Sequence, residues 1–153
     1  AHGFEMTQKM NDRLWMPINL SLGWTLSLFV VGALIDLSGD AIARTALPAA
    51  LIVGLLFFVI TILRPGSFMT FIAYEAVAML FSLSVYVFLF FQGILSGAGW
   101  MLAGVFVTIF AAVVQALGKT GISIVWYFDN NGVFHLIQMI GIVLLLVGLK
   151  MSF

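Results

Sequence analysis

Cysteine is absent from the 153 residues, which removes disulfides, thiolate nucleophiles and cysteine-ligated iron–sulfur clusters from consideration. Charge is scarce too: 8% of the chain is Asp, Glu, Lys or Arg, against about a quarter in soluble domains. The six basic residues are scattered singly and balanced by six acidic ones, so no basic patch exists to follow a phosphate backbone and nucleic acid is excluded as a partner. Histidine occurs twice, at His2 and His135, too few inside the apolar segments for bis-histidine haem. Zinc normally takes three or four protein ligands, and Glu75 with His135 supplies two. No metal or other cofactor is expected. No Ser-His-Asp order stands out beyond Ser82 with His135 and Glu75, so no catalytic residue is assigned.

What fills the chain is apolar mass. The sequence is 63% hydrophobic with mean hydropathy +1.22 and 15 phenylalanines, the composition of an integral membrane protein whose principal partner is the lipid bilayer. The pattern predicts an all-α polytopic bundle of five transmembrane helices. Residues 1–16 form a polar segment in which Met6, Met10 and Leu14 recur at helical spacing, either a short interfacial helix with Trp15 at headgroup depth or a polar tail. The apolar run that follows is longer than a signal-peptide core and lacks a clear small-residue cleavage site. Residues 17–153 form a single membrane domain. Pro17 suits the first position of a helix, and span one runs from there to Leu37. A polar turn (Asp36, Ser38, Gly39, Asp40, Arg44) leads to span two, Ala46 to Leu63, which ends at the break Arg64-Pro65-Gly66. Span three is Phe68 to Phe91, and span four runs from about Trp100 to Leu117. Gly118 to Tyr127 reads as an interfacial connection, and span five is about Asn130 to Leu149.

Five spans place Lys9, Arg13, Arg64 and Lys119 on the N-terminal side against Arg44 and Lys150 on the other, so the positive-inside rule favours a cytoplasmic N-terminus, as in a bacterial inner membrane. No internal repeat is evident, which speaks against an inverted-repeat transporter.

The stretch Phe128 to Lys150 enters the membrane with polar groups still on it. Asn131, His135 and Gln138 stand at i, i+4 and i+7, one face of a helix, and a bilayer penalises such groups unless they look at protein or trapped water. Glu75 lies inside span three, where a carboxylate costs several kcal/mol unless protonated or paired, and no Lys or Arg lies inside a span to pair with it. With a rise of about 1.5 Å per residue, Asn19, Glu75, Gln115, His135 and Gln138 fall at similar depth in one leaflet. Glu75 and His135 are therefore expected to meet in a lipid-shielded cavity, with Asn131, Gln138, Gln115 and Asn19 completing its hydrogen bonds. Met79, Ser82 and Tyr86 extend the Glu75 face as a polar track. Beside this stands a plainer reading, in which the same groups are interhelical glue worth about 0.6 kcal/mol each. Gly104, Thr108 and Ala111 on the Gln115 face, and Ala50-xxx-Gly54 in span two, are small-residue patterns that suit a compact bundle or an oligomer alike.

At F-D-N-N-G-V-F-H-L-I-Q (Phe128 to Gln138) the chain resembles the closing helix of small, uncharacterised bacterial integral membrane proteins. More remotely, it is similar to the last helix of the alkaline ceramidase and progestin/adipoQ receptor superfamily. There His135 matches the second of two histidines and Asn131 stands in place of the first. That superfamily has seven spans and a multi-histidine zinc site for lipid amide hydrolysis, so the resemblance implies an internal cavity at the His-bearing helix start, and five spans with one such histidine speak against the hydrolase chemistry.

Three functions stay open at this point. The first is a non-enzymatic membrane protein that binds or passes a small polar molecule, a proton or a lipid headgroup. The second is an accessory or structural subunit of a larger membrane complex, and the third is a lipid-modifying, hydrolase-like enzyme; further copies of the chain or other membrane subunits are the expected protein partners.

Overall fold

A computed structural model describes residues 7–64, 68–118, 121–123 and 127–152. His2, Met6, Pro65, Gly66 and Lys119 lie outside them, as does part of the Gly118–Tyr127 connection. Among the described residues, five helices are long and apolar enough to cross a membrane: α1 (Gln8–Ser38), α2 (Ala43–Leu63), α3 (Phe68–Gln92), α4 (Ala98–Leu117) and α5 (Asn130–Ser152). The all-α membrane bundle expected from the sequence is thus the observed class. The only β structure among the described residues is a two-residue antiparallel pair, β1 (Ile122–Ser123) with β2 (Tyr127–Phe128), between α4 and α5. In lipid a helix meets its own backbone hydrogen-bonding needs, so long apolar runs between breakers settle as helices.

The helix start differs from expectation. Pro17 lies inside α1, which begins at Gln8 behind the cap residue Thr7, whose hydroxyl accepts from Met10 N at 3.4 Å. The described part of the polar segment is therefore the first turns of the first spanning helix. Proline is tolerated there because it removes one bond, to the carbonyl four residues back at Arg13, and both residues are exposed to alternative donors. At 31 residues, α1 is about 46 Å long, more than a hydrocarbon core of about 30 Å requires.

The chain divides into two compact units, one through Ala78 and the other from Met79. In the first, α1 packs on α2 across a 3₁₀ turn at Asp40–Ile42, and Gly39 (φ 80°) reverses the chain. A Cβ at Gly23 would lie 2.6 Å from the carbonyl oxygen of Gly54, and one at Gly54 3.0 Å from the Gly23 carbonyl carbon. The two backbones touch. Trp24 Nε1 donates to Leu51 O at 3.3 Å over the same seam. The Ala50/Gly54 pattern thus serves a contact within the chain.

In the second unit, α4 packs on α5 along a second glycine seam. A Cβ at Gly104 would stand 2.7 Å from Leu145 Cδ2, and one at Gly148 2.8 Å from Met101 N. Gly118 (φ 66°) ends α4 in the left-handed conformation and donates to Gln115 O at 3.2 Å.

Candidate functional site in the membrane helices

The inward stripe of α3 carries the acid. Glu75, Met79, Ser82 and Tyr86 recur at helical spacing and all are buried, as the sequence pattern of that face implies. Glu75 to Tyr86 covers about 16 Å along the axis. Glu75 is 7% exposed, and its carboxylate has no hydrogen bond or ion pair among the described residues. Ser82 is wholly buried, and its Oγ also lacks a partner. Ser84 on the same helix shows the usual outlet, donating to Leu80 O at 2.9 Å.

Next to Glu75 in sequence, Tyr74 points into the first unit. Its OH lies 2.8 Å from Gly23 O and 2.5 Å from Ser27 Oγ, which itself reaches Gly23 O at 2.9 Å. Its ring stacks on Phe57 at 4.4 Å and 16°. One side chain of α3 thereby pins α1 and α2 together. Tyr74→Phe is expected to lower unfolding free energy by about 1 kcal/mol, the net worth of one such hydrogen bond, measured by denaturant titration in detergent micelles. In the sequence the only trace of this pin is the small-residue spacing Gly23-xxx-Ser27. Asn19, on α1, is half-buried, and its side chain makes no hydrogen bond among the described residues.

In the second unit the polar groups of α5 meet α4. Asp129 caps the helix, its carboxylate accepting from Gly132 N at 2.9 Å. Gln115 Nε2 donates to Asn131 Oδ1 at 3.2 Å, and Asn130 Nδ2 to Gln115 O at 2.8 Å. Gln138 Nε2 donates to Thr108 Oγ1 at 3.4 Å, and Thr108 Oγ1 in turn donates a hydrogen bond to Gly104 O at 3.0 Å. Gln138 Oε1 is buried without a partner. Gln115 and Asn131 therefore sit together as the sequence led one to expect, and they close on one another in the manner of glue.

His135 differs from the lipid-shielded imidazole expected. Its side chain is exposed, with the ring edge-on to Phe134 at 4.9 Å. At about 100° per residue, Gln138 returns to within about 20° of Asn131, but His135 falls about 40° to the side. That offset carries it off the narrow α4 seam. Glu75 belongs to the first unit and His135 to the second. No group of three or more His, Cys, Asp or Glu side chains gathers as a metal cluster among the described residues.

One family model, for a family of unknown function (DUF6962), matches residues 1–152. No curated protein and no solved structure matches the chain.

Proposed function

Because the chain belongs to that family of unknown function, its role has to come from its own residues, and we propose that it is a non-enzymatic membrane protein that binds or passes a small polar species at Glu75. The observation that carries this reading is a buried acid, on a helix apolar enough to span a membrane, without a partner among the described residues. Intramembrane carboxylates are costly, and they mark ion and proton pathways. A proton or a small cation would satisfy the group where no Lys or Arg lies within its span. Asn19 is proposed as a further polar group of the same unit, and His135, with Gln138, whose carbonyl oxygen is unpartnered, as a separate titratable station on α5 of the second unit. For Gln115 and Asn131 we assign interhelical glue, since each already bonds the other.

The proposed setting is a bacterial inner membrane with a cytoplasmic N-terminus, following the excess of Lys9, Arg13, Arg64 and Lys119 over Arg44 and Lys150. Assembly with further copies or other membrane subunits belongs to the same proposal.

The test is proton flux into liposomes containing the purified protein and a pH-sensitive dye. Wild type should dissipate an imposed pH gradient at least about tenfold faster than Glu75→Gln, the penalty of about 1.4 kcal/mol or more expected when a relay group is lost. His135→Ala should fall between them. Equal rates for wild type, both variants and empty liposomes would remove proton passage, and with it the role given to Glu75 unless a cation gradient discriminates the same variants.

A further inference from the structure

Apart from the polar groups, the first unit carries an apolar groove of about 270 Å³ lined by Val53, Leu56, Phe57, Ile60, Thr70 and Tyr74. Val53, Leu56 and Ile60 stand at i, i+3 and i+7 on α2, and Thr70 and Tyr74 at i and i+4 on α3, so each wall is a single helix face. Phe57 is only 3% exposed and stacks on the Tyr74 ring, whose hydroxyl is tied to Gly23 O. The floor is therefore built before anything enters. Val53, Leu56 and Ile60 are all exposed.

Arg64 follows the last residue of α2 and donates its backbone N–H to Ile60 O at 2.9 Å. It lies one turn, about 6 Å, beyond the groove wall along the helix. The residue is exposed, and its guanidinium makes no ion pair or hydrogen bond among the described residues. A groove with mainly apolar walls, on helices apolar enough to cross a membrane and with an unpaired cation one turn past its end, matches the two halves of a phospholipid. Arginine at a helix end holds its head at the interface while its stem lies along apolar surface, and its fork suits phosphate oxygens.

We propose that this groove is a binding site for one anionic phospholipid, an acyl chain lying between α2 and α3 and the phosphate on Arg64. The site is independent of Glu75 and stands whether or not that residue moves a proton. Basic pockets between membrane helices recognise acidic headgroups in this way, with about 1 kcal/mol per basic residue near the surface.

Delipidated protein in mild detergent, given equal amounts of phosphatidylglycerol and phosphatidylcholine with the same chains and examined by native mass spectrometry, tests the assignment. Wild type should retain phosphatidylglycerol about fivefold over phosphatidylcholine, whose own quaternary ammonium offsets the phosphate charge that Arg64 meets, the ratio that corresponds to one net charge contact. Arg64→Gln should bring the ratio to one, Val53→Trp should lower occupancy of both lipids by filling the groove, and Glu75→Gln should leave the preference unchanged. Parity in wild type, a preference that survives Arg64→Gln, or equal retention by every variant as annular lipid only, overturns it. Arg64 lies outside the helix and is exposed, so its variant decides the matter by itself if Val53→Trp does not fold.

Discussion

A Gly23→Leu variant is expected to unfold at a much lower temperature than wild type, with α1 no longer protecting α2 from solvent exchange. The Cβ that leucine adds would fall 2.6 Å from Gly54 O and 2.9 Å from Phe57 Cδ1. The nearest of these atoms is backbone, which cannot rotate aside. Overpacking costs about 1–3 kcal/mol where side chains can adjust, and more is expected where two helix backbones must part. Parting them also removes the Trp24 bond to Leu51 O and sets the Tyr74 hydroxyl bond to Gly23 O on α1 against the stacking of its ring on Phe57 of α2. Gly32→Ala is the matched control. It lies on the same helix with nothing within 4 Å of the added methyl, and should melt at or slightly above the wild-type temperature, because alanine is the better helix former by about 1 kcal/mol. Equal melting of Gly23→Leu and Gly32→Ala would show that the α1–α2 contact contributes nothing to stability.

The second large effect has the opposite sign. Glu75→Leu is expected to stabilise the protein by about 2 kcal/mol or more while abolishing proton flux. On insertion scales an acidic residue at mid-membrane is unfavourable by about 2.5–3.5 kcal/mol and leucine is favourable by about 0.3–0.6. With no partner among the described residues, removing the carboxylate strands no donor. Ser82→Ala should behave likewise on a smaller scale, since its hydroxyl is buried without a bond. A polar group that weakens the fold and is needed for activity is a functional group, whereas one whose loss weakens the fold is glue. Chemical or thermal unfolding of Glu75→Leu beside Asn131→Ala makes that distinction directly. If Glu75→Leu proved several kcal/mol less stable, the acid would have a bonded partner and would belong with Gln115 and Asn131.

Much of the architecture was legible in composition and punctuation. Runs of about twenty apolar residues between polar turns located all five helices, to within a few residues at most ends, because the bilayer requires each spanning segment to satisfy its own backbone. The start of α1 was the exception. Proline is equally at home at a first helical position and, at the cost of one bond, within an exposed stretch of helix, so Pro17 did not reveal that the helix starts at Gln8. Periodicity found the inward stripe of α3 as well: Glu75, Met79, Ser82 and Tyr86 share a face because α-helical geometry leaves them no choice.

What periodicity could not separate was a bonded polar group from a free one. Asn131 and His135 stand four residues apart, yet Asn131 finds Gln115 and His135 is exposed. The outcome turned on a rotation of about 40° against a seam only as wide as its glycines. By itself the sequence determined the five helices long and apolar enough to cross a membrane among the described residues, and which faces of them carry polar groups, because those follow from hydropathy and helix geometry along one strand of chain. Which polar groups satisfy one another, which stay unpartnered, and that Gly23 meets Gly54 were decided only in the tertiary structure, because each depends on how closely and at what rotation two distant segments approach.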